Sequence, residues 1–181
     1  MGTVREPQPV KIVVSLLAGE LGLLDGAKEP LSAAFGPIDF TSELLPFDHT
    51  DYYTPEFGSG LQRQFITFEH LIPPEMLPTI KRRTNELEWS LAGAECRRIN
   101  IDPGYLSLNK LVLASTKDHA HRLYLGHGIY GEVTLSYQRG HFRPWPWTYP
   151  DYGSERYCTL FEQVRARYKV QLREMVSALG N

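Results

Sequence analysis

Apolar residues recur along this chain in patterns that predict its elements. KIVVSLL, from Lys11 to Leu17, is a short β-branched apolar run of the kind that forms a buried strand. Leu23, Leu24, Ala27, Leu31, Ala34 and Phe35 then fall at helical spacing up to Gly36-Pro37, and Pro30 within them predicts a short or kinked helix. Ile38 to Leu45 and Gln64 to Ile72 read as strands, parted by the polar, glycine-bearing loop DHTDYYTPEFGSG. Pro73-Pro74 opens a second helix with Leu77, Ile80, Thr84, Leu87 and Leu91 as its inner stripe and Gly93 at its end. RRINID, Arg97 to Asp102, follows as a strand with Ile99 and Ile101 on one face. This β-α-β-β-α-β succession is that of a split β-α-β, ferredoxin-like unit.

Beyond it the period shortens. LSLNKLVLAS (Leu106 to Ser115), HRLYL (His121 to Leu125) and IYGEVTLSY (Ile129 to Tyr137) read as successive antiparallel strands, a β-meander, followed by the aromatic, proline-punctuated crossing HFRPWPWTYPDY. A long helix closes the chain, capped by Ser154, with Tyr157, Leu160, Phe161, Val164, Tyr168, Leu172, Met175, Val176 and Leu179 on one face. The expected architecture is one α+β domain over residues 1–181, with a mostly antiparallel sheet and a flexible lead at 1–9.

LGHGIYGEVTL, from Leu125 to Leu135, holds G-x-G-x-x-G followed by x-V, the spacing of two nucleotide-binding loops. A dinucleotide fingerprint needs a helix at the glycines, because the pyrophosphate rests on helix N-terminal amides, whereas EVTLSY alternates as a strand does. A kinase loop needs a lysine on the next strand, and none occurs between Gly131 and Lys169. The glycines therefore predict a hairpin with Gly126-His127-Gly128 as its turn. With Leu125 facing Ile129, the pairs Tyr124/Tyr130, Arg122/Glu132 and Ala120/Thr134 fall on one side, while His121, Leu123, Leu125, Ile129, Gly131, Val133 and Leu135 make an almost wholly apolar reverse.

Composition narrows the classes. The 181 residues are 42% hydrophobic and 22% charged, with a formal net charge of -2, so a packed globule is expected and no global basic field points to DNA. Cys96 and Cys158, the two cysteines, sit in no ligand or redox spacing, which with the absence of an apolar leader predicts a cytoplasmic protein with free thiols. No apolar run of about 18 residues is present, so no membrane partner is expected. The residues assign no cofactor, no metal site and no oligomeric state. Asp48, His49 and Asp51 have a spacing compatible with a divalent ion, but one common by chance.

The face bearing Arg122, Tyr124, Tyr130 and Glu132 is where chemistry is expected. An exposed Arg/Glu pair does little, whereas the same pair buried between tyrosines can receive a phosphate or carboxylate, so burial discriminates. Asp102 at a Pro-Gly turn, Lys110, Lys117 and His119, which would be the acid/base partners were the protein an enzyme, and Trp147, Tyr149 and Asp151 of the crossing complete the candidate ligand site. Thr84, on the helix stripe, is expected to bond the helix backbone. The alternative is a non-catalytic module in which the same aromatics meet a protein or single-stranded RNA.

FDHTDYY, TNELE, NIDPGYLSLNKLVLASTKDHAHRLYLGHGIYGEVTL and PWTYPDY together resemble the bacterial family catalogued as domain of unknown function 4416, over nearly the whole chain from Pro9. The resemblance implies no activity and transfers no catalytic residue. Its members often carry alanine in place of Gly131, which implies a hairpin rather than a phosphate loop.

Overall fold

The computed structural model describes residues 2–48, 50, 52–92 and 96–179. It is an α+β structure with a mostly antiparallel sheet and a long C-terminal helix. The strands are β1 (Val10–Ala18), β2 (Ile38–Thr41), β3 (Leu45–Pro46), β4 (Gln62–Ile72), β5 (Asn100–Leu106), β6 (Lys110–Ser115), β7 (Leu123–Gly126), β8 (Ile129–Gln138) and β9 (His141–Pro144). The helices are α1 (Leu21–Phe35), α2 (Thr54–Phe57), α3 (Leu77–Ser90) and α4 (Glu155–Leu179). Among the described residues the strands form one nine-stranded sheet in the order β2-β4-β1-β5-β6-β8-β7, with β3 on β4 and β9 on β8.

β1 is an inner strand between β4 and β5 and is buried along its whole length, which explains its near-continuous apolar run. Ile12, Val14, Leu16 and Ala18 pack on Leu24, Ala27 and Leu31 of α1 and on Ile80 and Leu87 of α3. Val13 joins Phe65, Tyr157, Phe161, Val164 and Tyr168 beneath α4 on the other face. Lys11, fully buried on β1, satisfies its three donors on Asp39 at 2.5 Å, the Phe68 carbonyl at 2.7 Å and Gln171 of α4 at 2.8 Å. Burial lowers its pKa against the pull of Asp39.

Several sequence expectations are corrected, among them the strand Ile38 to Leu45, which is β2 and β3. LSLNKLVLAS is two strands, because Ser107 and Asn109 bond each other and the Ser107 N–H donates to the Lys110 carbonyl at 2.9 Å, closing a turn. Pro103-Gly104 forms no turn and runs inside β5. The later strands are no simple meander: β8, with buried Ile129, Glu132, Thr134 and Leu135, takes the inner place beside β6, and the short, exposed β7 takes the edge. The expected end of the second helix at Gly93 lies outside the described residues. Thr84 donates to the Lys81 carbonyl at 3.0 Å, and Ser154 accepts the Tyr157 N–H at 3.3 Å, both as the sequence predicts.

The glycine string is a hairpin, with no helix at Gly128, but its turn is tighter than expected. Gly126 pairs with Ile129, so His127 and Gly128 alone form the loop, at φ 55° and 75°, a type I′ geometry that suits the strand twist. Tyr124 still faces Tyr130, and a bulge at Leu125 absorbs the extra residue. Leu123 and Leu125, on the edge strand, stay exposed rather than joining an apolar face.

β5 and β6 pair only through Leu106, Tyr105 and Gly104, opposite Leu111, Val112 and Leu113. Past Gly104 and Leu113 the two strands part, although β5 reaches back to Asn100 and β6 runs on to Ser115. Gly104 sits at the fork. A Cβ there would collide with the Val112 carbonyl oxygen and lie 2.7 Å from Leu113 Cδ2. Gly104→Ala is therefore expected to cost about 2 to 3 kcal/mol, read from denaturant unfolding, since a backbone oxygen has no rotamer by which to retreat. His127→Asn should raise Tm slightly, because asparagine tolerates positive φ better.

Candidate functional site

The fork opens a crevice of about 530 Å³ lined by charged, amide and aromatic side chains. Asn100 and Asp102 of β5 line one wall, and Leu113 to Lys117, with Arg122 and Glu132, line the other. α3 contributes Lys81, Asn85, Glu88 and Trp89; Tyr149 to Tyr152 and Phe47, Tyr52 and Tyr53 enclose it further. α3 spans both walls because Leu77 packs on Val112, Ala114 and Ile129 of the β6/β8 side while Ile80 and Leu87 pack on the β1/β5 side.

The expected Arg122/Glu132 pair is buried, the two side chains being 4% and 2% exposed. Arg122 Nε donates to Glu132 at 2.7 Å, its NH1 donates to Ser115 Oγ at 2.8 Å and the Lys117 carbonyl at 3.0 Å, and its NH2 reaches Tyr149 Oη at 3.5 Å. His121, placed by its sequence on the reverse face, instead lies 3.2 Å from the same Glu132 carboxylate, because β7 begins only at Leu123 and leaves the preceding backbone free of the strand alternation.

Lys81 and Asp102 pair at 2.8 Å, and Asn100 Nδ2 donates to the second Asp102 oxygen at 2.6 Å. Burial pushes the Asp102 carboxyl up, but the charge and hydrogen bond of Lys81, the Asn100 amide and Arg63 outweigh it and hold the group below the usual aspartate range. Glu88 goes the other way: burial raises it despite Lys81, the Ile101 N–H at 2.6 Å and Arg97 at 2.8 Å. Arg63 is bonded to Asp151 and sits 4.5 Å from the Phe47 ring centroid and 5.3 Å from that of Tyr152, an arrangement that suits a weakly hydrated guanidinium.

Of the residues expected from sequence, Arg122, Glu132, Asp102, Lys117, Tyr149 and Asp151 line this crevice. The others lie elsewhere. Tyr124 and Tyr130 meet edge to face at 5.4 Å on the ribbon. Lys110 begins β6, opposite Ser136, at the end remote from Ser115. His119 stacks on His121 at 5.9 Å, His121 on Trp147 at 5.6 Å, and Trp147 on Trp145 at 5.3 Å. Trp147 is held by a bond from Nε1 to the Val133 carbonyl at 3.0 Å.

Arg63, Lys81 and Glu88 were not anticipated. Their signal was present: Arg63 alternates with Phe65 and Thr67 on a buried strand, and Lys81 and Glu88 flank the apolar stripe of α3. His49 and Asp51 of the divalent-ion spacing lie outside the described residues. Among the described residues, no three His, Cys, Asp or Glu side chains gather in a metal-binding arrangement, and no helix is long and apolar enough to cross a membrane.

Residues 8–168 match the model of the family described as "Domain of unknown function (DUF4416)". The chain belongs to this family. Neither the curated proteins nor the solved structures yield a match. The DUF4416 match contains every crevice residue named above, from Phe47 to Tyr152, and ends within α4.

Removing one member of the buried pair should be far worse than removing both. Glu132→Ala is expected to cost about 3 to 5 kcal/mol by leaving Arg122 uncompensated, and Arg122→Met/Glu132→Leu should restore most of it in denaturant unfolding. The lowered Asp102 pKa stabilises the fold in full above the ordinary value of 3.8, and this contribution is lost as pH falls through the lower folded-state value. Asp102→Asn should accordingly flatten the acid limb of a stability profile measured between about pH 5 and pH 2.

Proposed function

We propose that this is a cytoplasmic protein that binds a small anionic ligand, phosphorylated or carboxylated, in the crevice between the Arg122/Glu132 ribbon, Asp102 and the Tyr149–Tyr152 crossing. The observation that carries this reading is the burial of Arg122, with NH2 directed toward Tyr149 at the crevice surface while Glu132, Ser115 and the Lys117 carbonyl fix the guanidinium from behind. A cation held in this way meets an anion without further ordering of its side chain. Lys117, exposed and 2.7 Å from Tyr52 Oη, adds a second charge at the same wall. The crevice volume suits a small-molecule site. We also read the β2-β4-β1-β5 order, each strand antiparallel to its neighbour, as a ferredoxin-like unit.

One observation favours the alternative of an interaction module for protein or RNA. The stacked rings of Trp145, Trp147, His121 and His119 form a partly exposed ladder outside the crevice, of the sort on which bases stack.

Thermal unfolding with phosphate, citrate, sugar phosphates and nucleotides separates the two. A crevice ligand at about a hundredfold excess over Kd should raise Tm by about 5 to 10 °C. Arg122→Ala, or Arg122→Met/Glu132→Leu should the single variant not fold, should abolish the rise. An undiminished rise in a folded variant overturns the role of Arg122. Stabilisation by oligonucleotides that is lost in Trp147→Ala supports the module instead.

A further inference from the structure

Four carboxylates line the crevice among the described residues, and they differ in what they show to it. The side chains of Glu88 and Glu132 are each 2% exposed and that of Asp151 5%, whereas Asp102 is 34% exposed. Asp102 is thus the crevice carboxylate with an open face. Each of its oxygens takes one bond, from Lys81 and from Asn100, and a carboxylate has about four acceptor directions in all. It retains acceptor capacity on both oxygens, side by side.

The partner for such a group is a pair of adjacent donors. Lys81, 2.8 Å from the same carboxylate, repels a ligand ammonium, so the donors are neutral, and adjacent hydroxyls match the oxygen pair. The same carboxylate repels an anion. An anion therefore goes to the opposite wall, where Arg122 and Lys117 stand with Ser115 and Thr116. If the pairing of Gly104 with Leu113 continued, Asp102 would face Ser115 directly; the fork pulls these positions apart and leaves a ligand-sized gap between an acceptor wall and a cationic wall.

Resting on the anion-binding reading above, the geometry points to a phosphate monoester bearing a vicinal diol, with its phosphate at Arg122 and Lys117 and its two hydroxyls on Asp102. Free sugar phosphates and nucleoside monophosphates share this chemistry.

Isothermal titration of the full chain with ribose 5-phosphate, 2-deoxyribose 5-phosphate, inorganic phosphate and AMP tests it. Ribose 5-phosphate or AMP should bind at least about tenfold more tightly than the deoxy sugar and inorganic phosphate, as expected for hydrogen bonds to a charged acceptor. Asp102→Asn, its fold checked by circular dichroism, should erase that preference, bringing ribose 5-phosphate and the deoxy sugar to within about threefold of each other, while inorganic phosphate binds more tightly because the repelling carboxylate is gone. Asn100→Ala, which leaves the Asp102 charge in place, should reduce the preference only partly. Tighter binding of AMP than of ribose 5-phosphate assigns the nucleoside source, and the reverse assigns the free sugar. Equal affinity for the hydroxylated and deoxy probes overturns the diol while keeping the anion site. Absence of binding by every phosphate probe overturns the diol assignment together with phosphate as the anion, and citrate titration then decides whether the anion site survives.

Discussion

At Gly104 the backbones of β5 and β6 touch, and one residue further along they separate. Only a residue without a side chain permits that approach, and Pro103 beside it brings no N–H to the opening. Two strands with unspent hydrogen-bonding groups cannot diverge into an apolar interior, so side chains must occupy the gap with polar atoms. That requirement accounts for Lys81 and Glu88 on the inward side of α3 and for the Ile101 N–H ending on the Glu88 carboxylate. The polar crevice is the answer to a backbone that has been left partly unpaired.

Its charges are organised as pairs rather than as a field. Arg63 with Asp151, Lys81 with Asp102 and Arg122 with Glu132 each place a cation against an acid, which keeps desolvated groups ionised and locks their rotamers before anything binds. The cost is that each partner depends on the other. Such pairs contribute less to stability than to holding a defined shape, because their Coulomb attraction is offset by lost hydration.

Much of this was readable from the chain, and the misses have physical causes. Helical periodicity located α1, α3 and α4 because each buries one regular face, and a near-continuous apolar run located β1, which is buried on both. The hairpin was recognised from EVTLSY, yet its register near the turn was off because a bulge at Leu125 adds a residue that alternation cannot reveal. Pro103-Gly104 looks like a turn locally and lies in a strand because β1 pairs with it across the sheet. Arg122 and Glu132 could be placed together from hairpin geometry alone. Arg63 and Lys81 join them through contacts distant in sequence, with Asp151 and Asp102, and no local pattern announces which wall each will meet.

Lys11 lends the architecture a direction in time. Its strand is synthesised well before α4, yet one of the acceptors for its ammonium belongs to Gln171, 160 positions later. Tyr168 reaches back in the same way to the Pro9 carbonyl, across 159 positions. Until α4 docks, the Lys11 ammonium lacks one of its protein acceptors and must keep water in its place, so closure of the core on this face waits on contacts far apart in the chain.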